Sequence, residues 1–257
     1  MFNPLIGSFL LFLFFFVLVS TYIIAVVISN QSYRKWPLRR IIFLLIGGLC
    51  GMVSVFGPLA HLAHSWFPAH MITHLLLGML APLFFVLAAP VTLLLRTLPV
   101  PAARVVTRLF RSWFGHLVTH PVSTTLLNVG GLWILYRTDL YPAMHENLIL
   151  FLFIHLHVFI AGYLFTSSFL YVDPAYHRLS YLYRSIVLVL ALAAHGILSK
   201  SLYVNPPTGV PVEQAQLGSQ IMYYGGDIVD LMIIFLLCRE WYRSTRPRMS
   251  LTTAVTS

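Results

Sequence analysis

The sequence has few charged residues and almost no cysteine. Charged residues make up 9% of the chain, whereas a soluble globular domain has about 25%. Hydrophobic residues make up 59%, which excludes an ordinary soluble domain and indicates a protein that crosses a membrane several times. The two cysteines, Cys50 and Cys238, form no CxxC motif, which argues against a thiolate metal site or a disulfide framework.

Acidic residues are scarce as well. Seven Asp and Glu stand against 16 Lys and Arg, for a formal net charge of +9. A nucleic-acid-binding protein groups such charge into a basic patch, whereas here it is scattered between apolar runs, as in the loops of a membrane protein. We therefore expect no nucleic-acid partner. Eleven histidines outnumber the acids, so we expect the function to depend on imidazole chemistry.

Seven apolar runs predict an all-α bundle of seven transmembrane helices in a single domain, residues 1–257, without an internal repeat. The first run has no basic residue before it and no small-residue cleavage site, so we interpret it as a retained span. Pro82 and Pro90 should kink the third span. The predicted spans are residues 5–28, 41–59, 71–95, 121–136, 147–171, 183–203 and 218–238.

The basic residues predict the orientation of this bundle. Of the 16 Lys and Arg, 14 follow spans one, three and five or lie in the C-terminal tail, residues 239–257, while Arg137 and Lys200 lie on the other side. Positively charged loops remain in the cytoplasm. The sequence therefore predicts an N-terminus outside and a cytoplasmic tail.

One basic loop has the pattern of an amphipathic helix. In residues 101–115, Arg104, Arg108 and Arg111 share a face opposite Val105, Val106, Leu109 and Trp113. This pattern predicts a helix that lies on the cytoplasmic membrane surface.

Histidines gather near the predicted outer ends of the spans. His70 and His74 are four residues apart, so on a helix they share one face. At about 1.5 Å per helical residue, His155 and His195 fall at a similar depth on two other spans, and Asp227 on a fourth. Ionisable groups inside a membrane are costly and mark functional sites, so we expect these side chains to converge.

Periodicity does not decide between His155 and His157, which point to opposite sides of span five. His155 shares its face with Gly162 and Thr166, which are small and polar residues typical of close helix packing. Neutral imidazoles bind copper, zinc, iron and nickel, and a nearby thioether favours Cu(I). An outward-facing site of this kind implies metal handling on the extracytoplasmic side.

Ordinary structural roles remain open for each of these residues. His70 and His74 could be interfacial histidines at a helix start, His195 could make an interhelical hydrogen bond, and Asp227 could pair with Lys200. The shared depth of these residues in the bundle is the stronger argument for a site.

Four segments of the sequence match the pattern of a known family. They are PAHMITHLLLGMLAPLFFVLAAPVTLLLR, HPVSTTLLNVGGLWILY with the following LYPAM, AHGILSKSLY, and GSQIMYYGGDIVDL. Through them the chain resembles, over about residues 40–243, the CtaG family of membrane proteins needed to assemble copper-containing cytochrome c oxidases. The resemblance implies a protein of the bacterial inner membrane that is not an enzyme and helps to insert copper into the oxidase.

The resemblance and the histidine pattern agree on the candidate metal ligands. We expect copper to bind at an outward-facing site, in which a carboxylate can accept the second ring N–H of a ligating histidine. The partners implied by the resemblance are oxidase subunits with copper centres, the lipid bilayer and periplasmic copper chaperones. The resemblance is also compatible with a homo-oligomer. The expected ligands are His70, His74, His155 and His195, with His64 and Asp227 in supporting roles.

Other functions remain open at this point. A haem-binding membrane electron carrier would use two of the histidines as axial ligands. A di-iron membrane oxidase would use histidine boxes, which the pairs His61–His64 and His70–His74 resemble. A proton or metal transporter would place Asp227 and Asp230 in its path.

Overall fold

The computed structural model describes residues 4–246, and within them it contains helices and loops but no strand. The helices, in chain order, are α1 (Pro4–Ser32), α2 (Leu38–Val55), α3 (Pro58–Ala63), α4 (Phe67–Leu75), α5 (Ala81–Leu87), α6 (Pro90–Thr97), α7 (Val100–Arg111), α8 (Trp113–Thr119), α9 (Pro121–Thr125), α10 (Gly131–Arg137), α11 (Leu140–Met144), α12 (Leu148–Phe169), α13 (Tyr181–Val204) and α14 (Val212–Thr245).

Six helical segments of the described chain are long and apolar enough to cross a membrane, which confirms an all-α multi-pass fold. They are α1, α2, the joined α4 and α5, α12, α13 and α14. The predicted fourth span is helical over residues 121–137. At 1.5 Å per residue this covers roughly 25 Å, short of a hydrocarbon core of about 30 Å. The seventh span and the orientation of the termini stay predictions.

Two π-helical turns interrupt the bundle. Leu76–Leu80 joins α4 to α5, and Leu126–Gly130 joins α9 to α10. Such turns occur frequently at functional sites. Pro82 follows the first turn and has no N–H with which to reach the carbonyl of Gly78, four residues earlier. The helix therefore loses a regular hydrogen bond at this point.

The third span ends at Leu87, not at Leu95 as predicted from the apolar run. Ala89 has a left-handed backbone, with φ of 54°, and α6 begins at Pro90 as a separate helix. A residue before proline is disfavoured in the α region. Pro90 therefore breaks the helix, where a kink was predicted.

Two polar anchors hold the end of the bundle near Pro90. The Asp173 carboxylate accepts a hydrogen bond from the Thr92 backbone N–H at 2.7 Å, and so caps α6. Arg184 of α13 is 1% exposed; it donates to the Phe169 carbonyl and stands 4.0 Å from the centre of the Tyr171 ring. These contacts tie the loop after α12 to the spans on either side.

The amphipathic helix α7 ends at Arg111, four residues before its predicted end. Ser112 is extended, and its hydroxyl accepts from the Gly115 N–H at 3.1 Å, so it starts α8 in place of continuing α7. Val105 and Leu109 are more than half exposed. No residue of α7 is buried, and contact of its apolar face with the membrane surface stays a prediction.

The last span is longer at both ends than the sequence indicated. α14 runs from Val212 to Thr245, so part of the Pro-rich loop and the start of the predicted tail are helical. Residues 247–257 of the predicted cytoplasmic tail lie outside the described residues.

Candidate metal centre

Three small cavities follow one another into the bundle, each of about 20 Å³. Neighbouring cavities share histidines. His70 and His155 line both the first and the second cavity, and His74 lines both the second and the third cavity. A cavity of this size holds about one water molecule, and so also a single metal ion. We call them the outer, middle and inner cavities.

The outer cavity is lined by His64 and His145, which lie between spans. Their ring centroids are 5.6 Å apart, and neither nitrogen of His145 has a hydrogen-bond partner. Burial first, and the neighbouring His64 second, lower the pKa of His145 to about 4. His145 is therefore neutral at neutral pH and has a lone pair to offer a metal. Sequence reasoning left it out of the ligand set, although the LYPAM segment directly precedes it.

His70 is held in an aromatic pocket. Its Nε2 lies 3.0 Å from the hydroxyl of the buried Tyr136, and the Phe67 and Tyr141 rings pack within 5.9 and 5.0 Å of it, centroid to centroid. The hydrogen bond fixes the ring orientation, as partners of ligating histidines do. The tautomer in which Nε2–H donates to the Tyr136 oxygen is the one that leaves a lone pair on Nδ1 for a metal.

The structure places His155, and not His157, at the cavities. His155 Nδ1 donates to the Phe151 carbonyl at 2.8 Å; a carbonyl only accepts, so the lone pair of this ring is on Nε2. His157 Nε2 instead lies 3.1 Å from the Leu127 carbonyl, and its ring packs against Gly131. Of the two histidines, His155 is the one that lines the cavities, and its role as a ligand stays a prediction.

The lining of the middle cavity includes three of the four expected copper ligands. His70, His74 and His155 all line it, together with Met144. Met144 is 1% exposed, and its thioether adds a soft donor of the type that favours Cu(I). The fourth expected ligand, His195, is not at this cavity.

The inner cavity lies between His74 and His195. Their ring centroids are 6.4 Å apart, and the Nε2 atoms of both rings are buried without a hydrogen-bond partner. Met79 and Asn128 line the same cavity, and each comes from one of the two π-helical turns. Both irregular turns of the bundle therefore meet at this point.

The carboxylate at the inner cavity is Asp230, not the expected Asp227. Asp230 is 5% exposed and lines the cavity. Asp227 is exposed, and in the described part of the chain it interacts with His195 electrostatically and not by a hydrogen bond. One buried stripe of α14 consists of residues spaced by four, namely Met222, Gly226 and Asp230. In the sequence, the spacing of four from Gly226 was the signal that Asp230 lies on this face of the helix.

These side chains suit copper, although no ready-made site is present. Within residues 4–246, no three His, Cys, Asp or Glu side chains stand close enough to hold one ion. The four expected histidines are instead divided between two neighbouring cavities. The middle cavity is lined by His70, His74 and His155, and the inner cavity by His74 and His195. Unpartnered imidazole nitrogens and thioethers nevertheless form the donor set that Cu(I) prefers.

Comparisons with known proteins give the family. The family described as cytochrome c oxidase caa3 assembly factor matches residues 20–244. An uncharacterized protein of Mycobacterium leprae is 27% identical over 86% of this chain and 37% of its own length. Uncharacterized proteins of Mycobacterium bovis and Mycobacterium tuberculosis are each 28% identical over 83% of this chain and 35% of their own.

The chain thus spans little more than a third of the length of the curated relatives it matches. No solved structure matches it. The family match includes all the histidines around the three cavities. The chain belongs to the CtaG family of cytochrome c oxidase caa3 assembly factors.

Proposed function

We propose that this protein helps to mature cytochrome c oxidase by binding copper at the row of cavities and delivering it to the oxidase. The observation that carries the proposal is the middle cavity, whose lining includes His70, His74 and His155 together with Met144. The family description names the oxidase. The donor set points to copper as the cargo.

The arrangement gives the ion a route. His64 and His145 are partly exposed, and the cavity that they line shares His70 and His155 with the middle cavity. If the basic loops are cytoplasmic, the outer cavity faces the periplasm. A copper chaperone there would be the donor, and an oxidase subunit with a copper centre the acceptor.

The chemistry required is binding and transfer, with no catalysed reaction. The family is described by assembly and not by a reaction. A haem between His74 and His195 would need a slot far larger than the 20 Å³ found there. A di-iron site built from histidine boxes would need both members of the pair His61–His64, whereas His61 is exposed and lines none of these three cavities.

Complementation of a strain that lacks the gene tests the proposal. His155→Ala removes a ligand of the outer and middle cavities, so we expect the strain's oxidase to lose copper and activity. His157→Gln is the matched control, because this side chain lies on the other side of α12. The proposal fails if His155→Ala supports full copper loading of the oxidase.

A further inference from the structure

The inner cavity contains a buried acid without a basic partner. Asp230 lies within α14, which is long and apolar enough to cross a membrane, and it is 5% exposed. None of the residues that line the cavity is Lys or Arg. A carboxylate at such a position is costly unless a positive charge accompanies it. When Asp230 is ionised, the cavity therefore has the charge of a site for a cation.

The two imidazoles that line the cavity with Asp230 have a ring separation compatible with one bound ion. The Nε2 atoms of His74 and His195 are buried and unpartnered, which costs free energy unless a ligand binds them. When two imidazoles bind one ion from opposite sides, each at about 2 Å, their ring centres lie roughly 6 Å apart. The observed separation of the centroids is 6.4 Å.

A thioether and a glycine complete the surroundings. A Cβ atom on Gly226 would lie 2.8 Å from Cε1 of His195 and 3.8 Å from Cε of Met79. The methionine is thus a neighbour of the ligating ring, and only glycine leaves room for that ring against α14. Met79 belongs to a π-helical turn, a feature that recurs at functional sites.

We propose that His74, His195 and Asp230 form a second cation site, selective for Cu(I), in which the two imidazoles bind the ion and the Asp230 carboxylate balances its charge. The inference rests on copper as the cargo of the proposed function. A monovalent ion with one carboxylate and neutral imidazoles gives a neutral complex. A divalent ion would leave a net positive charge inside the membrane, which is costly.

The same site discriminates among monovalent ions. Na⁺ and K⁺ prefer oxygen ligands, whereas nitrogen and thioether donors favour Cu(I). His74 lines both the middle and the inner cavity, so it is the side chain through which an ion moves from one to the other. The protein then binds the ion first near His70 and His155 and afterwards at the charge-balanced inner site.

The test separates the two sites in the full-length protein, reconstituted in lipid nanodiscs. Ag(I) is the probe, because it is a soft monovalent ion without redox chemistry. In the double variant His70→Ala, His155→Ala, one Ag(I) ion should remain bound. Adding Asp230→Asn should weaken that binding by about tenfold or more, the scale of a lost partner beside a metal ligand. Adding Asp227→Asn, which is exposed and does not line the cavity but interacts electrostatically with His195, should weaken the binding less than Asp230→Asn does.

X-ray absorption on the same samples identifies the donors. Met79→Leu should remove a sulfur neighbour of the bound ion, and Met232→Leu, an exposed methionine of α14, should keep it. If the double variant binds no Ag(I), or if Asp227→Asn weakens binding as much as Asp230→Asn, the second site is wrong while the copper proposal stands. If the wild-type protein binds neither Ag(I) nor Cu(I), the copper proposal fails as well.

Discussion

Gly162 of α12 lies directly against the backbone carbonyl of Gly78 in the first π-helical turn. A Cβ atom at Gly162 would overlap that carbonyl and would lie 3.0 Å from Cγ of Pro82. Pro82 cannot donate to the Gly78 oxygen, so the turn leaves this oxygen facing α12. The close approach sets the distance between the helices that carry His74 and His155.

The first prediction follows from this contact. Gly162→Ala should lower the thermal stability of the purified protein, because the methyl group forces α12 away from the π-helical turn; overpacking of this kind costs about 1–3 kcal/mol. Gly130→Ala is the matched control, since a Cβ there meets nothing within 4 Å. Equal melting temperatures for the two variants would show that the helices are not in close contact at Gly162.

The second prediction concerns pH. Burial first, and His64 second, hold the pKa of His145 at about 4, below the usual value of 6.5. Between these values the unfolded chain binds a proton that the folded protein does not, so stability is full above pH 6.5 and falls as pH drops toward 4. The melting temperature should therefore fall less between pH 7 and pH 4.5 in His145→Gln than in the wild type. An equal fall in both proteins would contradict this role of His145.

The third prediction is the topology. Because the basic residues are divided so unequally between the two sides, reporters fused at Lys35, Pro101 and Arg243 should report the cytoplasm, and a reporter at Thr208 the outside. Thr208 shares a hydrogen bond of 3.1 Å with Asp139, which places the loop after α13 at the same end as the loop after α10. A cytoplasmic signal at Thr208 would contradict seven spans.

The fourth prediction concerns α7. If its apolar side chains enter the membrane surface, spin labels along Val100–Arg111 should show accessibility to water that varies with a period of 3.6 residues. Its arginines would each gain roughly 1 kcal/mol near anionic lipids. Uniform accessibility along the helix would identify it as an ordinary basic helix in water.

The sequence predicted most of the helices because long apolar runs have few alternatives in a membrane. It predicted the end of the third span less well, since hydropathy continues past Ala89, whereas Pro90 and the left-handed backbone of Ala89 end the helix. The π-helical turns were also missed. These turns depend on contacts between two different helices, such as that of Gly162 with Gly78, and the sequence of a single helix does not reveal such contacts.

The candidate site, like the fold, was predicted from the sequence only in part. The spacing of His70 and His74 placed both on one face, but rotation of α12 and α14 about their axes depends on their neighbours. For this reason periodicity left His155 and His157 open, and counting depth along the span selected Asp227, where the structure buries Asp230. Depth along a helix can be counted from the sequence, but the direction of a side chain is determined by packing.

Copper content of the purified protein tests the central claim most directly. The double variant His74→Ala, His155→Ala removes a ligand from each of the three cavities, while a Cys50→Ser, Cys238→Ser variant changes neither the cavities nor their lining. Copper per polypeptide is measured after each protein has been shown to be monodisperse and helical. We predict that the cysteine variant keeps the wild-type ratio and that the histidine variant has no bound copper; full copper content in the histidine variant would contradict the account.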